Sequence, residues 1–300
     1  GGLDTLLTSH IRKGKWQVVL EYLDGLPRFV HSSLPTLDDA QDDEWIGLPL
    51  CYSSESGTLN WWPTDEDHDL VILCKAISQS SAPLKITRLI LSRSPISDEG
   101  VKNLSLALSH SDLNRLTLDY SSLSQQGIKH LYKAIAYRNC KKLTSLSVSG
   151  NHFGDKGITH ICEALVSSNC ELTRLDLRVN SLGNEGMKLL SEAITSGNCK
   201  LMFLDVSYNN VGNEGLKHLC TTLISSASKL TSLNIRHCRV ADEGVNYLFN
   251  ALTDINCKLG NLDLRGNSSI TVEGRNYLSD ALTGSDWKIK GLKFFRSTSK

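Results

Sequence analysis

Glu171–Ile194 reads ELTRLDLRVNSLGNEGMKLLSEAI. Its first half sets Leu172, Leu175 and Leu177 ahead of Asn180, a short strand signal that ends in an asparagine. Its second half sets Gly186, Leu190, Ala193 and Ile194 at helical spacing. Such a unit is too short to bury its own apolar side, so it requires copies to stack on.

The chain supplies the copies. The first apolar position of the unit recurs at Ile86, Leu113, Leu143, Leu172, Leu201, Leu230, Leu259 and Ile289, at intervals of 27, 30, 29, 29, 29, 29 and 30 residues. Each copy opens L-x-x-L-x-L, and its last two apolar positions, two apart, face one side of a strand. A small or amide residue follows at Ser94, Ser121, Asn151, Asn180, Asn209, Cys238 and Asn267. A buried asparagine there can bond the backbone of the neighbouring turn and link repeats into a ladder. Serine and cysteine substitute weakly, so the ladder should be loosest at Ser94, Ser121 and Cys238. A glycine then recurs at 100, 127, 157, 186, 215, 244 and 274, and the fourth, seventh and eighth residues after it are apolar or small. That is the inward stripe of a helix, with a recurrent alanine for close approach. The expected fold is an α/β solenoid of about eight strand–turn–helix units over residues 84–300. Helices are wider than strands, so the stack bends into a horseshoe with the parallel sheet on its concave face.

Residues 1–83 do not repeat and are expected to form an N-terminal helical and irregular capping region. His10–Phe29 has an amphipathic pattern, with Ile11, Val18, Val19, Tyr22 and Leu23 on one face. Residues 32–64 are rich in Ser, Pro, Asp and Gly around Trp45, Trp61 and Trp62 and are expected to be irregular. A helix capped by Thr64 or Asp65, running through Leu70, Leu73, Cys74 and Ile77 and stopping near Ser80, can cover the open end of the stack. The GGLDTLL start has no Met and no apolar h-region, which leaves a signal upstream of Gly1 open.

The formal net charge is +0 over 300 residues, with no polybasic run, so neither nucleic acid nor an anionic membrane is an expected partner. No apolar stretch approaches the ~18 to 20 residues of a membrane span. The nine cysteines are an odd number, and Cys140, Cys170, Cys199 and Cys257 are locked to one place in the repeat. They read as small buried hydrophobes in a reducing, cytoplasmic setting. His160-Ile-Cys162 and His218-Leu-Cys220 place their pairs roughly 200° apart on a helix, so neither pair chelates, and no metal or cofactor is expected. No nucleophile elbow, Ser-His-Asp arrangement or phosphate loop occurs, and no catalytic residue is assigned.

What the repeat leaves free is the concave face. The candidate ligand- or partner-binding residues are Arg174, Asp176, Arg178, Phe203, Asp205, Tyr208, Asn234, Arg236, His237, Asp263 and Arg265. Val179 and Ser207 stand among them, and earlier repeats add Arg115, Asp119 and Tyr120. Asp176 and Asp205 should form an acidic column flanked by Arg178, Arg236 and Arg265. Tyr and Arg are enriched at binding hot spots. The competing reading is that these acids and arginines simply pair to solubilise an exposed sheet.

The L-x-x-L-x-L-x-x-N pattern, its period near 29, the Asn-Cys before the strand and the Gly-opened helix ending in Ala-Leu resemble the ribonuclease-inhibitor class of leucine-rich repeats. The resemblance covers 86–296 and implies the horseshoe fold. That class occurs in ribonuclease inhibitors, Ran GTPase-activating proteins and NACHT-type nucleotide-binding, leucine-rich-repeat immune receptors. Lys15-Trp16 through Gly25-Leu26 is similar to the helix that closes the helical domain before the repeats in those receptors. Pro63-Thr64-Asp65 and the residues after it are similar to their transition helix. The resemblance implies a non-enzymatic sensing or autoinhibitory repeat domain. It would bind a protein or microbial ligand on the concave face and pair with a nucleotide-binding module of the same longer chain. No G-x-x-x-x-G-K-[ST] loop is present in these 300 residues. The alternatives are a Ran-type GTPase-activating protein, against which no acidic C-terminal tail is seen, and a ribonuclease-inhibitor-like scaffold, which calls for a more acidic concave face.

Overall fold

The computed structural model describes residues 50–53, 57–61, 70, 74, 86–93, 95–137, 140–282 and 291–293. The expected helix over His10–Phe29 lies outside them. Of the expected cap helix only Leu70 and Cys74 are described; both are helical and buried.

The described residues form one ten-stranded sheet whose strands follow in chain order, with seven helices on its outer side. Strands β1 (Leu50–Ser53) and β2 (Thr58–Trp61) are followed by β3 (Arg88–Ile90), α1 (Asp98–Leu108), β4 (Arg115–Thr117) and α2 (Gln125–Tyr137). Next come β5 (Ser145–Ser147), α3 (Gly154–Leu165), β6 (Arg174–Asp176), α4 (Asn184–Ile194), β7 (Phe203–Asp205) and α5 (Gly212–Leu223). The stack ends with β8 (Ser232–Asn234), α6 (Asp242–Leu252), β9 (Asn261–Asp263), α7 (Val272–Leu282) and β10 (Gly291–Lys293). Every pair from β2 to β10 is parallel. Each helix packs on the helix of the next repeat. Strands sit about 4.8 Å apart and helices about 8–10 Å apart, so the stack must curve towards its sheet.

The register explains the leucines. Leu89, Leu116, Leu146, Leu175, Leu204, Leu233 and Leu262 pair side by side across the sheet, and each is at most 1% exposed. The helix stripe meets them from outside: Leu190, Ala193 and Ile194 of α4 are buried, as are their equivalents in α1 to α6.

The irregular reading of residues 32–64 is corrected by β1 and β2, an antiparallel hairpin with Leu50 opposite Trp61. β2 also lies parallel to β3, with Leu59 beside Leu89. Leu59 is 1% exposed and occupies the inward row of the repeats. Four residues with a single hidden leucine are too short to show alternation in a Ser- and Gly-rich context.

The asparagine ladder is present. Asn180 is fully buried; its Oδ1 accepts from Asn151 N at 3.0 Å, and its Nδ2 donates to Val148 O at 3.0 Å and Arg178 O at 3.1 Å. Asn209 repeats the scheme one unit on, its Oδ1 accepting from the backbone of Asn180 and Leu182. Asn267 is buried and does the same for Cys238 and Val240. At Cys238 a thiol donates to Val206 O and Arg236 O. A thiol is a weak donor and acceptor, so this is the thin rung.

The fixed glycine has a steric cause. A Cβ at Gly186 would overlap the Asp155 carboxylate of the preceding repeat, and one at Gly274 would overlap that of Asp242. These carboxylates cannot retreat cheaply: Asp155 Oδ1 accepts from Gly183 N at 2.8 Å and Asp242 Oδ1 from Thr271 N at 2.9 Å. Gly186→Ala would ordinarily stabilise a helix by about 1 kcal/mol. Here it is expected to cost about 1 kcal/mol net, and to become stabilising in an Asp155→Ala background. Urea unfolding of the single and double variants checks this. A stabilising Gly186→Ala in the wild-type background would remove the steric account.

Cys162, Cys170, Cys199, Cys220, Cys238 and Cys257 are free thiols. Burial pushes Cys170 up to about 11 and Cys74, Cys162, Cys220 and Cys238 up to about 12, so these thiols stay protonated and unreactive. Among the described residues no His/Cys/Asp/Glu group is arranged to hold a metal, and no helix is long and apolar enough to cross a membrane.

Candidate recognition surface

The concave face is built from three positions per repeat. Two lie on the strand path, two residues apart and therefore on one side of the sheet. The first of these columns runs Thr117, Ser147, Asp176, Asp205, Asn234, Asp263. Two residues on in each repeat stand Asp119, Ser149, Arg178, Ser207, Arg236 and Arg265.

These columns interact mostly within a repeat. Arg178 Nε donates to Asp176 Oδ2 at 2.9 Å and reaches Asp205 at 4.0 Å. Arg265 Nε donates to Asp263 at 2.9 and 3.0 Å. The acidic column is therefore partly neutralised by its own arginines, and the reading of paired, solubilising charges holds for these two pairs. Asp205 is 6% exposed and accepts from Asn234 Nδ2 at 2.7 Å and from Ser207 N at 2.9 Å. Asp119 accepts from Ser147 Oγ at 2.6 Å and Ser149 N at 3.0 Å. Burial, then the charge of Asp176, pushes Asp119 up to about 7 and Asp205 up to about 6, against the pull of their hydrogen bonds and of Arg178.

The third position is where each strand turns outward. Tyr120, Gly150, Val179, Tyr208, His237 and Gly266 all have positive φ, from 49° at His237 to 77° at Gly266. The two glycines give the rings room: a Cβ at Gly150 would overlap the Tyr120 ring, and one at Gly266 the His237 ring. Tyr208 stacks on His237, with ring centroids 4.5 Å apart and planes 16° apart. The Arg236 guanidinium lies 5.9 Å from the Tyr208 ring, and that of Arg174 lies 3.6 Å from the Phe203 ring. Tyr120 and Tyr208 remain 43% and 47% exposed.

Val179 is the β-branched member of this column, at φ 53°. A left-handed conformation costs a non-glycine residue roughly 1–2 kcal/mol. Val179→Gly is therefore expected to stabilise the chain by about 1 kcal/mol, net of the entropy that glycine adds to the unfolded chain. The urea midpoint should rise, and a fall would show that Val179's packing outweighs its backbone strain.

Nine of the eleven candidate residues fill these three positions, and Arg174 and Phe203 stand two residues ahead of the first column, on the same side of the sheet. The structure joins Asp176, Arg178 and Asp205 in one cluster, Asp263 with Arg265, Arg174 with Phe203, and Tyr208 with His237. It does not join Arg236 to any carboxylate of the acidic column. Sequence reading left Asp119 as a bare member of an early repeat; its signal was the serines at 147 and 149, two columns of small hydroxyls beside a carboxylate. The ring-on-glycine contacts were signalled by glycine replacing a side chain at 150 and 266.

Five segments, residues 83–105, 139–162, 168–191, 197–220 and 226–249, match a family model described as leucine-rich repeat. No curated protein matches the sequence. Among solved structures the chain is similar to the leucine-rich repeat-containing protein LegL7 of Legionella pneumophila, at 19% identity and a TM-score of 0.51, over 79% of this chain and 72% of that one. An internalin, InlF of Listeria monocytogenes, matches at 17% identity and a TM-score of 0.33, over 78% of this chain and 73% of that one. A TLR13–ssRNA13 complex matches at 17% identity and a TM-score of 0.38, over 73% of this chain and 29% of that one. At these identities the LegL7 match speaks to the fold alone, and the other two carry no argument.

Proposed function

We propose that this leucine-rich-repeat domain is a non-enzymatic protein-recognition module that binds through its concave face. We further propose that it serves as the sensing or autoinhibitory repeat domain of a NACHT-type receptor. The observation that carries the first statement is the uncovered sheet. A parallel sheet is normally buried on both sides. Here the described residues leave one side open and furnish it with half-exposed rings beside ordered charges. Rigid aromatic and arginine side chains held at low entropic cost are what binding hot spots use. The receptor assignment is supported by the N-terminal tryptophan-to-glycine-leucine segment and the Pro-Thr-Asp helix start.

The test is deletion of residues 84–300 from the natural polypeptide that contains them, with the polypeptide's signalling read in a reporter cell. Loss of ligand response or constitutive activity is expected. Unchanged signalling, together with failure of the separated repeats to bind the remainder of that polypeptide, would end the receptor reading.

A further inference from the structure

We propose that Arg236, beside the Tyr208–His237 ring pair, is the anchor for one aspartate or glutamate side chain of the partner protein. The proposal rests on the concave face being the recognition surface. What carries it is a break in the repeat pattern. In β6 and β9 an arginine stands two residues after an aspartate and is held by it, Arg178 by Asp176 and Arg265 by Asp263. In β8 the same place carries Asn234. Its amide is already engaged: Oδ1 accepts from Ser207 Oγ at 2.7 Å, and Nδ2 donates to Asp205 Oδ2 at 2.7 Å. The repeat thus keeps the arginine and has lost its acid.

The neighbouring acid does not replace it. Asp205 is taken by Asn234 and Ser207, and its nearest arginine is Arg178 at 4.0 Å. Arg236 takes no part in the ion pairs made by Arg178 and Arg265. Its Nε is buried with no hydrogen-bond partner. A buried donor left unmet costs about 1–3 kcal/mol, more when charged, and that cost is recovered when an acceptor arrives. The half-buried guanidinium faces the Tyr208 ring and is thereby oriented, while Tyr208 and His237 are exposed beside it.

A lone carboxylate suits this place better than a phosphate backbone. A polyanion running along the columns would pass Asp176 and Asp263, both on the same face, and the chain's net charge of +0 offers it no attraction at range. A protein can place one acid at Arg236 and other groups opposite the paired charges.

The test is selection of a displayed library of random short peptides on the full chain. The enriched peptides are expected to carry an Asp or Glu, to lose about tenfold or more in affinity on Tyr208→Ala, and to lose as much on Arg236→Met. Arg236→Lys, which keeps the charge and loses the planar fork, should lose most of that affinity too. Asn234→Asp, which restores the missing acid without touching Arg236, should also weaken them. Arg236→Glu should regain binding to the same peptide with its acid changed to arginine. Each variant is checked for the wild-type far-UV spectrum before binding is read. Peptides that need Tyr208 but bind Arg236→Met within twofold would overturn the acid anchor and leave the surface standing. Peptides indifferent to both substitutions, or no enrichment at all, would count against both. Single-stranded RNA bound in an Arg236-dependent way, with acidic peptides ignored, would overturn the choice of occupant.

Discussion

Asn180→Ala is expected to lower the unfolding free energy by about 3 kcal/mol. Asn180 is fully buried and its amide meets three backbone groups in two repeats. Removing it leaves the buried Asn151 N–H without its acceptor and takes from the Val148 carbonyl one of its two side-chain donors, the other being Asn151 Nδ2. Each buried polar group stripped of its partner costs about 1–3 kcal/mol, and the lost side chain adds a small cavity. The mirror substitution, Cys238→Asn, places the amide where a thiol now does half the work. It is expected to stabilise by about 1 kcal/mol, as repeat-consensus changes commonly do. Urea midpoints measure both. A cost below about 1 kcal/mol for Asn180→Ala would mean that water or backbone rearrangement fills the rung.

Stability should fall as pH rises from 5 to 8. Asp119 and Asp205, held up at about 7 and about 6 against 3.8 unfolded, bind their protons more tightly in the folded chain. The stability they contribute is fully present below the unfolded value near 4. It is lost as pH climbs through 6 and 7, where the folded carboxyls finally ionise. Each unit of difference is 1.36 kcal/mol; with Asp119 only partly buried and its charge shared with Asp176 and Arg178, a loss of about 2 kcal/mol between pH 5 and 8 is the expected scale. Asp119→Asn and Asp205→Asn together should flatten the profile. A chain more stable at pH 8 than at pH 5 would show that Arg178 dominates and that both carboxyls fold as anions.

The sequence displayed the parts of this fold that repeat. Leu175, Leu177 and Leu190 recur because every unit needs the same inward atoms, and Asn180 recurs because every turn needs the same hydrogen bonds. Features that occur once were hidden. Leu59 joins the inward row from a strand of four residues, with no second copy to reveal it. The positive φ of Val179 and Tyr208 has no signature in those residues; only Gly150 and Gly266, in the same column, hint at it. On the concave face the residues were legible but their partners were not. Strand alternation places Asp176 and Arg178 together, yet whether Arg178 turns to its own acid or to a neighbour's depends on side-chain rotamers. The odd position of Arg236 became visible only once Asn234 was seen bonded to Asp205 and Ser207.

The open sheet is proposed as the place where this chain meets its partner. A photo-crosslinking amino acid placed at Tyr208 on the concave side, and separately at His160 on helix α3, tests it most directly in cells that make the natural polypeptide. A discrete crosslinked protein is expected from position 208, lost when Arg236 is also replaced, and none from position 160. Crosslinks from position 160 alone would move recognition to the outer helices and contradict it.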